Sequence, residues 1–274
     1  MSSNKELIIY GGKESFPNIT FLGDSFDANK PLYKYMDVES AINFLQTRSL
    51  SFVEPSSWFD PFEKRFYNAD FSAIPTFKKP KIFASCFTKQ PTNEAAWVMY
   101  SYFKSGLASK SIRFEFNPTL LYHMLNEFGD KNKAKIVVSN VNYTLTEKTI
   151  KALHEKTSKY HNQYFSNFSD DKFINLMLIK RKAFDYEKEI RVFILPTQET
   201  SKEVLHVFEN IERLNIKGDY IILTSLVKSI IISPNCTPLE REMIEKKIEE
   251  ITNGAIKCRQ SSLYKSFDTI RVEP

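Results

Sequence analysis

Glycine is scarce in this chain, and the scarcity excludes several folds and sites that are built on glycine-rich loops. Only seven glycines occur among the 274 residues, at positions 11, 12, 23, 106, 129, 218 and 254. This number is well below the usual glycine frequency, which is roughly 7% of residues. None of the sequences GxGxxG, GxxxxGKS, GxxxxGKT or GxSxG can be formed from them. The fingerprints of Rossmann dinucleotide sites, P-loops and serine hydrolases are therefore absent.

Histidines, cysteines and apolar runs exclude further classes. The four histidines form no HExxH pair, and the three cysteines, Cys86, Cys236 and Cys258, are odd in number and far apart. Neither a disulfide framework nor a bound metal is therefore indicated, and we expect the protein to be located in the reducing cytoplasm. No apolar run reaches the roughly 18 residues of a membrane helix, and the first residues lack the apolar core of a secretory signal. We expect no membrane partner.

The charge balance and the aromatic content favour a nucleic-acid partner. Lysine and arginine number 38 against 33 aspartates and glutamates, which gives a net charge of +5, and the chain carries 13 tyrosines and 23 phenylalanines. Cations can meet phosphates while aromatic rings stack on bases. The same composition also fits a lysine-rich chain with an ordinary solvated surface.

Local patterns predict an α+β fold. Asp37 caps a helix whose Val38, Ala41, Ile42 and Leu45 form one buried stripe. A second helix opens at residues 93–94, a third has a capping box at 237–240, and residues 253–254 end that third helix. The predicted strands cover residues 7–10, 32–35, 50–53, 81–88, 112–116, 189–194, 229–233, 255–259 and 267–273. We expect an N-terminal extension over 1–30 and one catalytic domain over 31–274, with a variable helical insertion at about 144–175.

The densest group of charged residues is Glu187, Glu189 and Arg191. Ile190, Val192 and Ile194 alternate with Glu189, Arg191 and Phe193, the period of a half-buried strand. Residues two apart share a face, which would bring the two carboxylates together roughly 6 to 7 Å apart. Such a pair can divide the work of glycosyl transfer, one stabilising the sugar cation and the other deprotonating the nucleophile. A solvated, salt-bridged strand face has the same pattern.

A proline-bearing loop supplies a second candidate group. Trp58, Phe59, Asp60 and Glu63 place aromatic surface beside two carboxylates, as the wall of a binding cleft would. The same loop could instead be held to the core by its aromatic rings. Trp97, on the second helix, fits a core position better than a ligand contact.

Six short motifs follow one another along the chain, and their order resembles one family. They are Tyr33-Lys34-Tyr35, FVEPSSWFDPFE, SCFT, NEAAWVMYSY, VNY at 141–143 and FDYEKEIRV. This order is similar to a large bacterial family of domains of unknown function, number twenty-nine seventy-one. Its usual pattern runs YKY, NDPFE, CFS, MWSHYA, V-x-Y and YE-x-EWR. The resemblance covers roughly residues 32 to 270. The chain departs from the pattern at Phe59, where asparagine is usual, and at Ile190, where tryptophan is usual.

A weaker resemblance suggests a mechanism. The segment LYKYMDVESAINFLQTRSL resembles the opening of ADP-ribosyltransferases, in which a strand with a basic residue precedes a helix and an acidic motif follows late in the chain. The likeness implies two packed, mostly antiparallel sheets with flanking helices and NAD as co-substrate. It implies that Glu189 binds the nicotinamide ribose and that Glu187 orients or deprotonates the acceptor. The NAD contacts would be Tyr33, Lys34, Tyr35, Ser85, Thr88, Phe59 and Arg191, and the acceptor contacts Trp58, Asp60, Glu63 and Trp97.

These resemblances imply an ADP-ribosyltransferase that modifies RNA or DNA, or else a protein. Families of this kind occur among bacterial toxins and phage-defence effectors, so an antitoxin or chaperone partner is implied. Two other classes stay open. A metal-dependent nuclease would use Asp60, Glu63, Glu187 and Glu189. A non-enzymatic binding module of a toxin-antitoxin or defence system would not depend on Glu187 or Glu189.

Overall fold

The computed structural model describes residues 16–23, 27–99, 110–217 and 223–264. Its contacts divide the chain into two units. Unit 1 consists of residues 1–28, 51–86 and 125–216, and unit 2 consists of residues 29–50, 87–124 and 217–274. The predicted strands at 7–10 and 267–273 lie outside the described residues.

The described strands and helices alternate along the chain. The strands are β1 (Ile19–Leu22), β2 (Leu32–Asp37), β3 (Ser49–Val53), β4 (Phe83–Thr88), β5 (Ser111–Phe116), β6 (Ala134–Asn140), β7 (Asn142–Leu145), β8 (Ile179–Arg181), β9 (Glu189–Pro196), β10 (Arg213–Lys217), β11 (Val227–Ile232) and β12 (Cys258–Gln260). The helices are α1 (Val38–Thr47), α2 (Pro61–Tyr67), α3 (Glu94–Met99), α4 (Pro118–Asn132), α5 (Glu147–His154), α6 (Lys159–Phe165), α7 (Asp170–Leu176), α8 (Lys202–Asn210), α9 (Leu223–Leu226) and α10 (Pro238–Thr252). Short 3-10 helices cover Pro55–Ser57 and Lys182–Glu187.

The predicted α+β class is confirmed, but the sheets differ from the expectation. Ten of the described strands belong to one large mixed sheet, and β7 and β8 form a separate two-stranded parallel sheet. The two sheets are unequal, one large and one small, and in the large one most of the described strand pairs are antiparallel, as expected. The small sheet contains few residues, since β7 has four and β8 has three.

In unit 1, β6 is paired on both sides. It runs parallel to β1 and antiparallel to β9. Strand β1 lies in the stretch that was predicted as an N-terminal extension. The three helices α5, α6 and α7 fall in the stretch predicted as a helical insertion. A core of buried side chains, among them Tyr67, Val137, Phe173 and Phe193, packs around these elements.

In unit 2, β5 pairs antiparallel with β2 on one side and with β11 on the other, and β12 pairs parallel with β11. One face of these strands is apolar and packs against α1, where Phe44 meets Phe114 edge to face with ring centroids 5.2 Å apart. Among the described residues, no helix is both long enough and apolar enough to cross a membrane.

The predicted helix signals of unit 2 are confirmed, with one shift. Asp37 caps α1 by accepting a hydrogen bond from the Ser40 backbone N–H, at 2.9 Å. The buried stripe contains Phe44 where Ile42 was expected, and Ile42 is half-buried. The capping box at Thr237 and the left-handed end of α10 at Asn253 are both present.

Strand β9 is more deeply buried than its alternation predicts. The expectation of a solvated polar face is wrong, because both faces are covered: Glu189 and Arg191 are buried, as are Ile190, Val192 and Ile194 on the opposite face. The charged residues of this face meet other charged side chains instead of water.

Candidate active site

Lys180 lies at the centre of a buried group of charges in unit 1. It projects from the short strand β8 and is itself buried. Its Nζ donates to Oε2 of Glu187 at 2.5 Å and to Oε2 of Glu189 at 3.0 Å. Oε1 of Glu63 lies 4.0 Å away. One lysine therefore holds the two carboxylates that the sequence singles out.

Arg191 forms the second cation of the group. Its Nε donates to Oε1 of Glu189 at 2.8 Å, its Nη2 bonds both Glu189 and Glu63, and its Nη1 donates to the Met177 carbonyl at 2.5 Å. The Trp58 ring covers the guanidinium at 4.3 Å. Only 1% of the surface of Arg191 is exposed, and all three of its guanidinium nitrogens donate hydrogen bonds to protein groups.

Local backbone geometry brings each carboxylate to this point. Pro61 starts α2 and the Asp60 side chain caps it by accepting from the Phe62 N–H, so Glu63 lies in the first helical turn. Glu187 ends the 3-10 helix, and Lys188 turns the chain in a left-handed conformation with φ of 44°. Glu189 then begins β9. Glu187 is therefore not on the strand, and it meets Glu189 through Lys180 instead of through a shared strand face.

Outer contacts fix the group further. The Glu189 backbone N–H donates to the Tyr143 hydroxyl at 2.8 Å. The Cys86 side chain is hydrogen-bonded to the Glu189 carboxylate. Arg181 pairs with Asp60, with Nη2 and Oδ2 3.2 Å apart. These contacts leave the carboxylates little freedom to rotate.

The charges in this group do not balance, and the pKa values of Glu187 and Glu189 are shifted in opposite directions. Three carboxylates, of Glu63, Glu187 and Glu189, face the two cations of Lys180 and Arg191. Burial opposes ionisation of Glu189, but Arg191 and Lys180 outweigh it and hold the pKa of Glu189 well below its usual range. Burial raises the pKa of Glu187 to about 7, since Lys180 offsets only part of that effect. Glu187 therefore titrates near neutral pH while Glu189 stays ionised.

This arrangement suits proton transfer better than metal binding. Among the described residues, no group of three or more histidine, cysteine, aspartate or glutamate side chains could hold a metal ion. Lys180 and Arg191 occupy the positions between the carboxylates that a metal would take. A carboxyl with a pKa near the working pH is in contrast what general acid–base catalysis requires.

The predicted residues of unit 1 are placed as follows. Glu187, Glu189, Glu63 and Trp58 all contact Lys180 or Arg191, and Asp60 lies next to them as the cap of α2. Arg191, expected to bind a cofactor, has its guanidinium buried among protein groups and supports the carboxylates instead.

Two further predicted residues of unit 1 lie apart from the hydrogen bonds of the group. Ser85 is buried on β4, where the neighbouring Cys86 is the residue that bonds Glu189. Phe59 is 78% exposed on the loop beside Trp58.

The remaining predicted residues belong to unit 2. Tyr33 lies opposite Thr88 in the sheet. Tyr35 packs edge to face on Trp97, which is buried, with ring centroids 4.7 Å apart. Lys34 alternates to the other face of β2, where its Nζ lies 4.9 Å from the Phe87 ring centre. The predicted trio at 33–35 is thus divided between the two faces of the sheet.

Sequence reasoning missed three residues of the group, namely Lys180, Cys86 and Tyr143. Cys86 and Tyr143 stand in the SCFT and VNY motifs, so a signal for them was present. Lys180 stands in a three-residue strand, which is too short for periodicity to show which way its side chain points.

Comparison with protein-family models, curated proteins and solved structures found no match to this chain. The family likeness and the likeness to ADP-ribosyltransferases therefore stay predictions that depend on the motifs alone.

Proposed function

We propose that the group around Lys180 is the active site of a glycosyl-transfer enzyme that moves ADP-ribose from NAD to an acceptor. One observation carries the proposal: Glu187 and Glu189 share the same lysine, yet their pKa values are driven apart. Paired carboxylates with opposite pKa shifts divide the acid–base roles in enzymes that act on glycosidic bonds. Their bonds to one Nζ also hold the two carboxylates at the same ammonium group.

The proposed step balances without any further reactant. The bond between the anomeric carbon of the nicotinamide ribose and the ring nitrogen breaks, and its electron pair leaves with nicotinamide. An acceptor hydroxyl attacks the sugar carbon, and its proton passes to the ionised Glu187 carboxylate. Glu187 takes this role because it is the more exposed of the two, with 16% of its side chain accessible against 9% for Glu189.

Glu189, Lys180 and Arg191 act as positioning residues in this scheme. Glu189 fixes Lys180 and raises the pKa of Glu187 by its negative charge, although burial is the larger cause of that rise. Phe59 and Tyr186 expose aromatic surface next to Trp58 and Glu187 in the sequence. We assign to them the stacking of the nicotinamide or of an acceptor base.

The proposal extends to the fold type, the compartment, the acceptor and the biological context. The fold would be of the ADP-ribosyltransferase type and the enzyme would act in the cytoplasm. The net charge of +5 favours RNA or DNA over protein as the acceptor. A toxin or phage-defence effector with a neutralising partner is the context that this activity implies.

The test is incubation of the full chain with labelled NAD and RNA, DNA or protein, followed by measurement of nicotinamide release and ADP-ribose transfer. We expect Glu187→Gln to lower the transfer rate by roughly 10²-fold, the contribution of a general base. Glu189→Gln should move the inflection of the pH–rate profile below pH 7, because it removes a charge that raises the pKa of Glu187. Asp185→Asn is the matched control, since Asp185 lies on the same 3-10 helix in an exposed pair with Lys188.

Absence of NAD consumption with every acceptor would overturn the proposal, and so would a wild-type rate in Glu187→Gln. Loss of an activity on treatment with a chelator would favour the metal-dependent nuclease instead. If no chemistry is found and the variants only unfold more easily, the group is structural and the chain is a binding module.

A further inference from the structure

The polar face of the unit 2 sheet gathers side chains that the proposed chemistry does not use. On β2 and β5, Tyr33 lies opposite Glu115 and Tyr35 lies opposite Arg113. On the other side of β5, Ser229 lies opposite Glu115 and Ile231 opposite Arg113. Directly opposite residues of paired strands project to the same face of a sheet. Arg113 is therefore at the centre of a face lined by hydroxyls, a carboxylate and aromatic rings.

Arg113 is buried without a partner for its Nε. Only 9% of the residue is exposed, and within the described ranges its Nε is inaccessible to water and has no hydrogen-bond partner. The centre of the Tyr33 ring lies 4.9 Å from the guanidinium carbon, which is a cation–π contact. Glu115, the nearest carboxylate by sequence, accepts a hydrogen bond from Ser229 at 2.9 Å.

A buried guanidinium in this condition is unfavourable unless something else binds it. Removing a charged group from water costs several kcal/mol, and ion pairs or hydrogen bonds normally offset that loss. Burial lowers the pKa of Arg113, and the neighbouring Tyr35, Tyr33 and Glu115 only partly oppose this. The strand order places a second cation on the same face, because Arg259 on β12 lies opposite Ile231. Two strand spacings separate it from Arg113, which is roughly 10 Å.

We propose that this face binds a phosphate-bearing small molecule, with the phosphate on the terminal nitrogens of Arg113 and the exposed Arg259 as the second cation. Guanidinium groups present parallel N–H donors that match phosphate oxygens, and such charge-assisted hydrogen bonds are strong. Glu115 and the Tyr33 hydroxyl supply partners for sugar hydroxyls next to the phosphate. The occupant is thus a sugar phosphate or a nucleotide, and the experiment distinguishes these from free phosphate.

The test is titration calorimetry and thermal unfolding of the full chain with inorganic phosphate, ribose 5-phosphate, ADP and, as the phosphate-free control, adenosine. We expect the phosphate compounds to bind and to raise the melting temperature, more weakly at high salt, while adenosine has no effect. Binding to ribose 5-phosphate or ADP but weaker binding to inorganic phosphate would support the sugar contacts as well.

Arg113→Gln should weaken binding at least about tenfold, equivalent to roughly 1.4 kcal/mol, a modest loss for a charge-assisted pair. Arg113→Lys keeps the charge and should bind with intermediate strength, which gives a second readout if the glutamine variant does not fold. Lys228→Gln is the matched control, because Lys228 is exposed on β11 and its loss changes the net charge equally.

Failure of every phosphate compound to bind wild type would overturn this inference, as would equal binding to Arg113→Gln. If Lys228→Gln lost as much affinity as Arg113→Gln, the loss would be due to net charge alone, and this result would also overturn the inference. The inference does not depend on the proposed function, since its readout is binding and not NAD consumption.

Discussion

Two buried arginines, one in each unit, differ in what surrounds their charge. Arg191 in unit 1 is 1% exposed and bonds Glu189, Glu63 and the Met177 carbonyl. Arg113 in unit 2 is 9% exposed, and its Nε has no hydrogen-bond partner among the described residues. Both lie next to an aromatic ring, Trp58 for Arg191 and Tyr33 for Arg113. The protein thus satisfies one buried guanidinium fully and leaves the other short of acceptors.

The difference separates a positioning role from a binding role. A guanidinium whose donors already meet carboxylates and a carbonyl can hold those groups in place, but it has little capacity for a ligand. A buried guanidinium with an unused donor lowers the stability of the free protein and gains most from an incoming anion. We therefore expect substitution of the two arginines to affect stability in opposite directions.

The largest expected effect comes from Arg191→Met. Methionine keeps the apolar stem, but Glu189 and Glu63 lose their common cation while they stay buried. Removing one partner of a buried ion pair, so that the other charge is left uncompensated, costs about 3–5 kcal/mol. Urea unfolding monitored by circular dichroism should show a loss of that size, with a shift of the midpoint to lower denaturant concentration.

An exposed pair provides the reference for Arg191→Met. Lys151 and Glu147 form an i,i+4 pair on α5 with most of both side chains in water, so Lys151→Met should unfold at nearly the wild-type urea concentration. If Arg191→Met were as stable as wild type, the buried carboxylates would not depend on Arg191 as their cation. The positioning role assigned to Arg191 would then be wrong.

Features set by local sequence were predictable, and in the candidate site these include the shared strand face of Glu189 and Arg191. The cap at Asp37, the capping box at Thr237 and the helix end at Asn253 each depend on neighbours within a few residues. The shared face of Glu189 and Arg191 follows from the two-residue period of a strand alone.

The burial of that face was not predictable, because the covering residues come from distant parts of the chain. Glu63 on α2 and Lys180 on β8 neutralise charges that the sequence pattern would leave in water. The position of Glu187 was also missed. A lysine at residue 188 gives no sign of the left-handed turn that separates Glu187 from β9. The large mixed sheet depends in the same way on pairings between strands far apart in sequence, such as β1 with β6.

Arg113→Leu should have the opposite effect on stability to Arg191→Met. Leucine removes a buried charge that has no acceptor at Nε, and it can pack against Tyr35 and Ile231 on the same face. In phosphate-free buffer we expect the free energy of unfolding to stay unchanged or to rise by about 1 kcal/mol, as when buried charges are replaced by apolar groups.

The same urea experiment, repeated with ribose 5-phosphate, gives the control for Arg113→Leu. Wild type should gain stability from the compound and the leucine variant should not. A loss of 3 kcal/mol or more in Arg113→Leu without any ligand, roughly the cost of breaking a buried ion pair, would show that the two arginines have the same structural role. The comparison between the units would then fail.

The last expected effect is the pH dependence of stability that Glu187 causes beside Lys180. Burial raises the pKa of Glu187 to about 7 in the folded chain, above its ordinary value of 4.5. The folded state therefore binds more protons than the unfolded state between about pH 4.5 and 7, and stability from this group is lost as the pH rises through that window. Glu187→Gln mimics the protonated form and removes this dependence.

Wild type should accordingly lose roughly 2–3 kcal/mol of unfolding free energy relative to Glu187→Gln between pH 5 and pH 8. Lys180 bonds the ionised carboxylate at 2.5 Å, and the pKa of about 7 already includes this favourable contact. Urea unfolding of wild type, Glu187→Gln and Asp185→Asn at the two pH values measures it, with Asp185→Asn expected to follow wild type. An identical pH dependence in wild type and Glu187→Gln would show that Glu187 is ionised throughout this range. Unit 1 would then lack the neutral-pH acid that distinguishes it from the phosphate-binding face of unit 2.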